Sequence, residues 1–110
     1  MGTDSDLKAL YIVVNAGFTG EIMDIVRAAG ASGGTIVHAR GEGSQHRSVL
    51  GITLDYEQDI VITIAGKAIA ERIMDDVKAK AGWNTGVRGI CYMMPVERAV
   101  GLRQQKSQET

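Results

Sequence analysis

Residues 60–80 read Ile-Val-Ile-Thr-Ile-Ala-Gly-Lys-Ala-Ile-Ala-Glu-Arg-Ile-Met-Asp-Asp-Val-Lys-Ala-Lys. The first six are rich in β-branched residues and carry no charge, which reads as a strand. Ile60, Ile62 and Ile64 point to one face and Val61, Thr63 and Ala65 to the other. With no charge on either face, both are expected to be covered. From Gly66 to Lys80 the period changes. Ile69, Ile73 and Val77 repeat at helical spacing, with Ala70 and Met74 beside them, so a helix follows the strand. Lys78 and Lys80 suit its negative end, and Gly82 suits a cap. Asp75 and Asp76 read as its solvated side.

The same strand–helix alternation appears on both flanks. Upstream, Leu10–Val14 is a short apolar strand ended by Asn15-Ala16-Gly17. Thr19 is expected to cap a helix whose apolar face is Ile22, Ile25, Val26 and Ala29, with Gly30 after its end. Thr35–Ala39 reads as a second strand. Downstream, Ile90–Met94 is a fourth strand closed by Pro95. Val96–Arg103 is expected to form a short helix or hook, and 104–110 a polar tail. Between Gly41 and Tyr56 the pattern dissolves into glycine, charge and scattered apolar residues. A loop of that length in a compact domain is usually functional. Its Val49–Leu54 part can extend a strand or form a hairpin.

The order is β-α-β, long loop, β-α-β. This predicts an α+β, ferredoxin-like βαββαβ sandwich: a four-stranded antiparallel sheet with two helices on one face. Two helices cover one face only, so the apolar second face calls for an oligomer.

Composition narrows the function. The chain has 110 residues and a net charge of -1, without the basic excess of a nucleic-acid binder. Its 14 glycines are nearly twice the usual share of roughly 7%. Such an excess suggests tight turns or backbone brought close to a ligand. Cys91 is the only cysteine, which excludes an intrachain disulfide; within an apolar run it reads as a buried, inert thiol. No apolar stretch approaches the roughly 20 residues of a membrane span. The polar, acidic Met1–Leu7 segment is no signal peptide, so a cytoplasmic protein without membrane insertion is expected.

Two glycine-bearing segments fall at strand ends. One is Arg40-Gly41-Glu42-Gly43-Ser44-Gln45 and the other is Gly86-Val87-Arg88-Gly89. Glycine lets backbone amides approach an anion, and an adjacent arginine supplies charge and a fork of donors. Neither segment is a Walker loop or a dinucleotide fingerprint, and each by itself reads as an ordinary turn. His38 and His46 lack the companions that a zinc site needs. Ser44 and Ser48 flank His46 without an orienting carboxylate, so no nucleophilic triad is expected. Trp83 reads as a packing cap after a helix end, and Met93-Met94 as core.

Taken together, these segments resemble the PII signalling superfamily. Gly33-Gly34-Thr35-Ile36-Val37-His38-Ala39-Arg40-Gly41-Glu42-Gly43 is similar to its glycine–x–threonine strand and the start of its T-loop. Ile90-Cys91-Tyr92-Met93-Met94-Pro95-Val96-Glu97 is similar to its last strand and Pro-Val-Glu turn, and Gly86–Gly89 falls where its B-loop lies. The resemblance implies one domain over 1–103 with a T-loop at about 41–56. It implies a non-enzymatic homotrimer that binds adenine nucleotide (ATP, ADP or AMP) in clefts between subunits. The T-loop then docks on a regulated transporter, enzyme or regulator.

The implied nucleotide residues are Thr35, Gly41, Gly43, Gln45, Gly86, Val87, Arg88, Gly89 and Arg103. Gln45 falls on the position that helps hold magnesium-bound ATP. Ser44, His46, Arg47, Val49, Leu50 and Ile52 would belong to the partner-binding loop. No catalytic or metal-ligating residue is implied. The chain also departs from the pattern. Ile90 stands where the B-loop lysine is usual, and Arg88 is the nearest substitute for its charge. Gly101 replaces one of two C-terminal arginines. Glu57 falls where nitrogen sensors have a lysine for 2-oxoglutarate, and a carboxylate there repels a dicarboxylate. The loop is shorter and has no counterpart of the modifiable tyrosine. These features imply a divergent member with weaker triphosphate binding or a preference for ADP or AMP. Two readings of the same fold stay open beside it: a nucleotide-independent structural trimer, and a metal-binding trimer of the divalent-ion-tolerance type.

Overall fold

The computed structural model describes residues 6–41, 47–49, 52–54 and 56–102. The alternating run at the start becomes β1 (Leu7–Asn15), whose buried positions are Leu10, Ile12 and Val14. The first helix, α1 (Thr19–Ala28), buries Ile22, Ile25 and Val26. Then come β2 (Thr35–Gly41), β3 (Arg47–Val49), β4 (Ile52–Leu54) and β5 (Tyr56–Gly66). The second helix, α2 (Lys67–Ala81), buries Ala70, Ile73, Val77 and Ala81, and β6 (Ile90–Pro95) follows. The main sheet has the order β2-β5-β1-β6, and all three pairings are antiparallel. Each strand–helix–strand unit therefore skips one position, and the other unit's strand fills the gap. This is the expected ferredoxin-like arrangement.

The core lies between one sheet face and the two helices. Leu10, Ile12, Val14, Val61 and Ala65 meet Ile22, Val26, Ala70, Ile73 and Val77 there. Cys91 and Met93 pack against its margin, and burial pushes the Cys91 thiol up to about 11. Met94, expected in the core, points to the other face and is exposed; adjacent strand residues alternate faces, so only one of the two methionines can reach the helices.

That other face carries rows of apolar side chains without a helix over them. Val37, Ile60, Val13 and Ile90 are aligned across the sheet, as are Thr35, Ile62, Tyr11 and Tyr92. The Tyr11 and Tyr92 rings stack with centroids 5.4 Å apart. Within one chain Ile60, Ile62 and Ile64 are half-buried, so the expectation that both faces of this strand are covered is met on one side only.

Three local expectations are corrected. Thr19 is not the cap of α1 but its first residue. Phe18 takes the cap position without a side-chain bond. The reason is Gly17, which turns the chain at φ +96 while its N–H donates to Asp59 Oδ2 at 3.3 Å, so the helix begins a residue earlier. Second, Val49–Leu54 is not one strand. β3 and β4 pair as a separate antiparallel ribbon, with Val49 opposite Ile52, so of the two alternatives the hairpin is the one that matches. Third, no helix forms over 96–102. The Val96 N–H donates to the Leu7 carbonyl, Gly101 has φ +88, and Val100 is 84% exposed. An amphipathic helix there would have nothing to pack against. The hook expectation is the one that remains.

At the far end of α1 the closure is as the sequence predicts. Gly30 at φ +106 donates to the Arg27 carbonyl and Ala31 to the Val26 carbonyl, the paired bonds of a Schellman motif.

Candidate functional site

The register decides which loops share an end of the sheet. Gly41 pairs with Tyr56, Gln58 with both Ala39 and Asn15, and Val13 with Ile90. The two glycine-bearing segments therefore emerge at the same end, one from β2 and the other into β6. Those strands are the sheet's two edges, so three strand spacings, about 14 Å, lie between the segments. Thr35 starts β2 at the opposite end, six residues and about 20 Å from Gly41.

Asn15, which sequence reasoning treated only as a strand stop, braces this end. Its backbone N–H donates to the Val87 carbonyl at 3.0 Å, and its side-chain amide donates to the Gly86 carbonyl at 3.1 Å. Gln58 lies between the two segments. A Cβ on Gly41 would strike the amide end of the Gln58 side chain, so Gly41 lets Gln58 lie across the end of β2. Neither residue had a local signal, because each acts through a partner far away in the chain.

The turn from Gly82 to Gly89 is rigid. Thr85 donates from its N–H (3.0 Å) and its hydroxyl (2.7 Å) to the Gly82 carbonyl. Its hydroxyl oxygen accepts from the Val87 N–H at 3.2 Å. The Arg88 N–H donates to the Thr85 carbonyl at 3.2 Å and the Gly89 N–H to the Ala81 carbonyl at 2.7 Å. Three of the four amides in Gly86–Gly89 are thus spent inside the protein. Val87 is buried beside the core. What this turn offers outward is chiefly the Arg88 side chain. Arg88 is the one non-glycine described residue with positive φ, +53. Its guanidinium lies 5.2 Å from the centroid of the Trp83 ring. Trp83 is 56% exposed, so it is not the packing cap that its position suggested but a platform under an arginine.

A third group sits where β2, β5 and the start of α1 meet. His38 Nδ1 lies 2.6 Å from Asp59 Oδ1, the ring N–H donating to the carboxylate, while Gly17 donates to the other oxygen. Asp59 is only 5% exposed. The hydrogen bond from His38 holds its carboxyl below the ordinary value; burial opposes this, and the Gly17 amide adds to the lowering. His38 therefore has the hydrogen-bonded ring expected of it. A group whose folded pKa is depressed stabilises the fold above its unfolded pKa, near 4, and loses that contribution as pH falls toward the folded value. Acid titration of unfolding is expected to show this loss below about pH 4 in the wild type and a flatter limb in Asp59→Asn. Equal acid limbs would remove Asp59 as a source of acid sensitivity.

Of the other anticipated residues, Arg47, Val49 and Ile52 fall on the β3–β4 ribbon. Gly43, Ser44, Gln45, His46, Leu50 and Arg103 lie outside the described residues. Among the described residues, no three His, Cys, Asp or Glu side chains gather to hold a metal ion, and no helix is long and apolar enough to cross a membrane.

Known proteins give this arrangement a context. No curated protein is a significant match. Among solved structures, a PII-like signalling protein of Thermus thermophilus is similar at 26% identity and a TM-score of 0.64, over 83% of this chain and 89% of that one. CPII of Thiomonas intermedia K12, a nitrogen regulatory PII-like protein bound to ADP, AMP and bicarbonate, is 18% identical with a TM-score of 0.65, over 87% and 96%. GlnK of B. subtilis in complex with ATP is 13% identical with a TM-score of 0.66, over 84% and 85%. The last two likenesses are of fold. The family model for nitrogen regulatory protein P-II matches residues 7–106, which spans every element of the sheet and both helices. The chain belongs to the nitrogen regulatory protein P-II family.

Proposed function

We propose that this protein is a PII-type signal transducer without catalytic activity, in which 1–103 form one domain and 104–110 a tail. Adenine nucleotide (ATP, ADP or AMP) binds in clefts between the subunits of a homotrimer, with magnesium accompanying ATP. The segment at about 41–56 is the T-loop, and it carries the bound state to a regulated transporter, enzyme or regulator. The observation that carries the reading is that Gly41 and Gly86–Gly89 lie at the same end of the sheet, in a family whose structural neighbours include complexes with ATP, ADP and AMP. The apolar second face supports the trimer: its rows of Ile, Val and Tyr are the kind of surface that subunit association buries. The β3–β4 ribbon supports a T-loop with its own hairpin structure, on which Arg47, Val49 and Ile52 would meet the partner.

Calorimetric titration with ATP, ADP and AMP tests the ligand part. Arg103→Ala is expected to weaken whichever phosphate-bearing ligand binds by roughly 1.5–3 kcal/mol, the range of a charge-assisted hydrogen bond. Unchanged affinity would remove Arg103 from the site. No binding of any of the three below millimolar concentration would end the nucleotide reading and leave the structural trimer in its place.

A further inference from the structure

The family resemblance places Arg88 at the nucleotide but gives Trp83, the ring beneath it, no role. We infer that Trp83 is a positioning residue that presents Arg88 as a preset receptor for the phosphate chain of the bound nucleotide. This inference deepens the nucleotide reading and rests on it.

Three observations carry it. First, Arg88 occupies a left-handed backbone conformation at φ +53, although such a conformation costs a non-glycine residue of order 1–3 kcal/mol. The turn tolerates this because bonds among Gly82, Thr85, Ala81 and Asn15 over-determine it. A side chain kept at a strained position on a rigid turn is aimed rather than incidental. Second, the guanidinium lies over the indole at 5.2 Å, within the cation–π range of about 6 Å. Among the described residues no carboxylate pairs with it. An aromatic face holds a guanidinium through its flat surface and leaves the N–H groups at its rim to fork onto an oxyanion. A carboxylate partner would have consumed those donors. Third, the amides of Val87, Arg88 and Gly89 are already committed. The turn therefore recognises an anion mainly through this side chain, at the place where the sequence has Ile90 and no lysine.

The chemical class follows from the geometry: a phosphate group, two of whose oxygens match a fork of donors, and not the adenine or ribose. Calorimetry on the full chain with ADP, inorganic pyrophosphate and adenosine separates these sources, with thermal unfolding to confirm that each variant is folded. Arg88→Gln is expected to weaken ADP about tenfold or more. Trp83→Leu, which keeps apolar bulk and loses the π face, is expected to weaken it about fivefold, and Trp83→Tyr to restore most of that loss. Adenosine binding should not change in any of them. Trp83 is the only tryptophan, so its emission should shift when ADP or pyrophosphate is added to the wild type and stay constant in Arg88→Gln. If Trp83→Leu binds ADP as the wild type does, or if adenosine weakens in parallel with ADP, the positioning role is overturned while the nucleotide reading stands. If the wild type binds none of ATP, ADP and AMP, both fail together.

Discussion

Replacing Gly89 with alanine is expected to cost about 3 kcal/mol of folding stability, combining an overpacked backbone contact with a broken buried hydrogen bond. An added Cβ would overlap the Ala81 carbonyl oxygen, which is backbone at the end of α2 and cannot swing aside. The same oxygen accepts the Gly89 N–H at 2.7 Å, so relieving the clash breaks the bond that ties β6 to the helix. For a chain of this size the midpoint of thermal unfolding should fall by roughly 15 °C, compared at equal protein concentration because association contributes to stability. Gly86→Ala is the control. Its nearest neighbour beyond the adjacent residues would be Phe18 Cζ at 4.0 Å, an ordinary contact, so its change should stay within about 0.5 kcal/mol. Equal effects at the two positions would show that the Ala81 contact does not constrain Gly89.

Ile62→Asp is expected to dissociate the proposed trimer. Ile62 sits between Thr35 and Tyr11 in the middle of the sheet face that no helix covers. The change leaves the helix-side core untouched, because Val61 and Thr63 face the other way. In a monomer the new carboxylate meets water at little cost. In a trimer it would be desolvated without a partner, at several kcal/mol per subunit, with its two copies repelling it. Sedimentation should therefore give a trimer for the wild type and a monomer for Ile62→Asp, with helical content retained in both. A variant that stays trimeric would mean that subunits associate through another surface.

Much of the architecture was legible in the sequence because it rests on period. The run from Ile60 to Lys80 shows two-residue and then helical repetition, and neither depends on distant residues. The second face was legible for the same reason, since the alternation of Ile60, Ile62 and Ile64 must leave one side bare if two helices cover the other. The candidate site was legible only in outline. Glycine and arginine marked the two loops, but the residues that hold them were hidden. Asn15 acts on Gly86 and Val87, 71 residues from the first of these, and Gln58 acts over Gly41. Asp59 lies just before the apolar run read as a strand, and its charge is stabilised by His38 of β2 and by Gly17 in the turn before α1. No window of neighbouring residues contains such partnerships. The Thr19 cap failed for a related reason: Thr19 has good capping chemistry, but the bond from Gly17 to Asp59 fixes the turn before Thr19 can use it. Trp83 was misjudged because its partner Arg88 takes a backbone conformation that propensity disfavours.

Native mass spectrometry of the purified protein in excess ADP, counting subunits and nucleotides in one particle, tests the account most directly. The predicted result is a trimer carrying up to three nucleotides, which are lost from the Arg88→Gln and Arg103→Ala variants before the trimer is. A monomer, or a trimer that never takes up nucleotide, would contradict it.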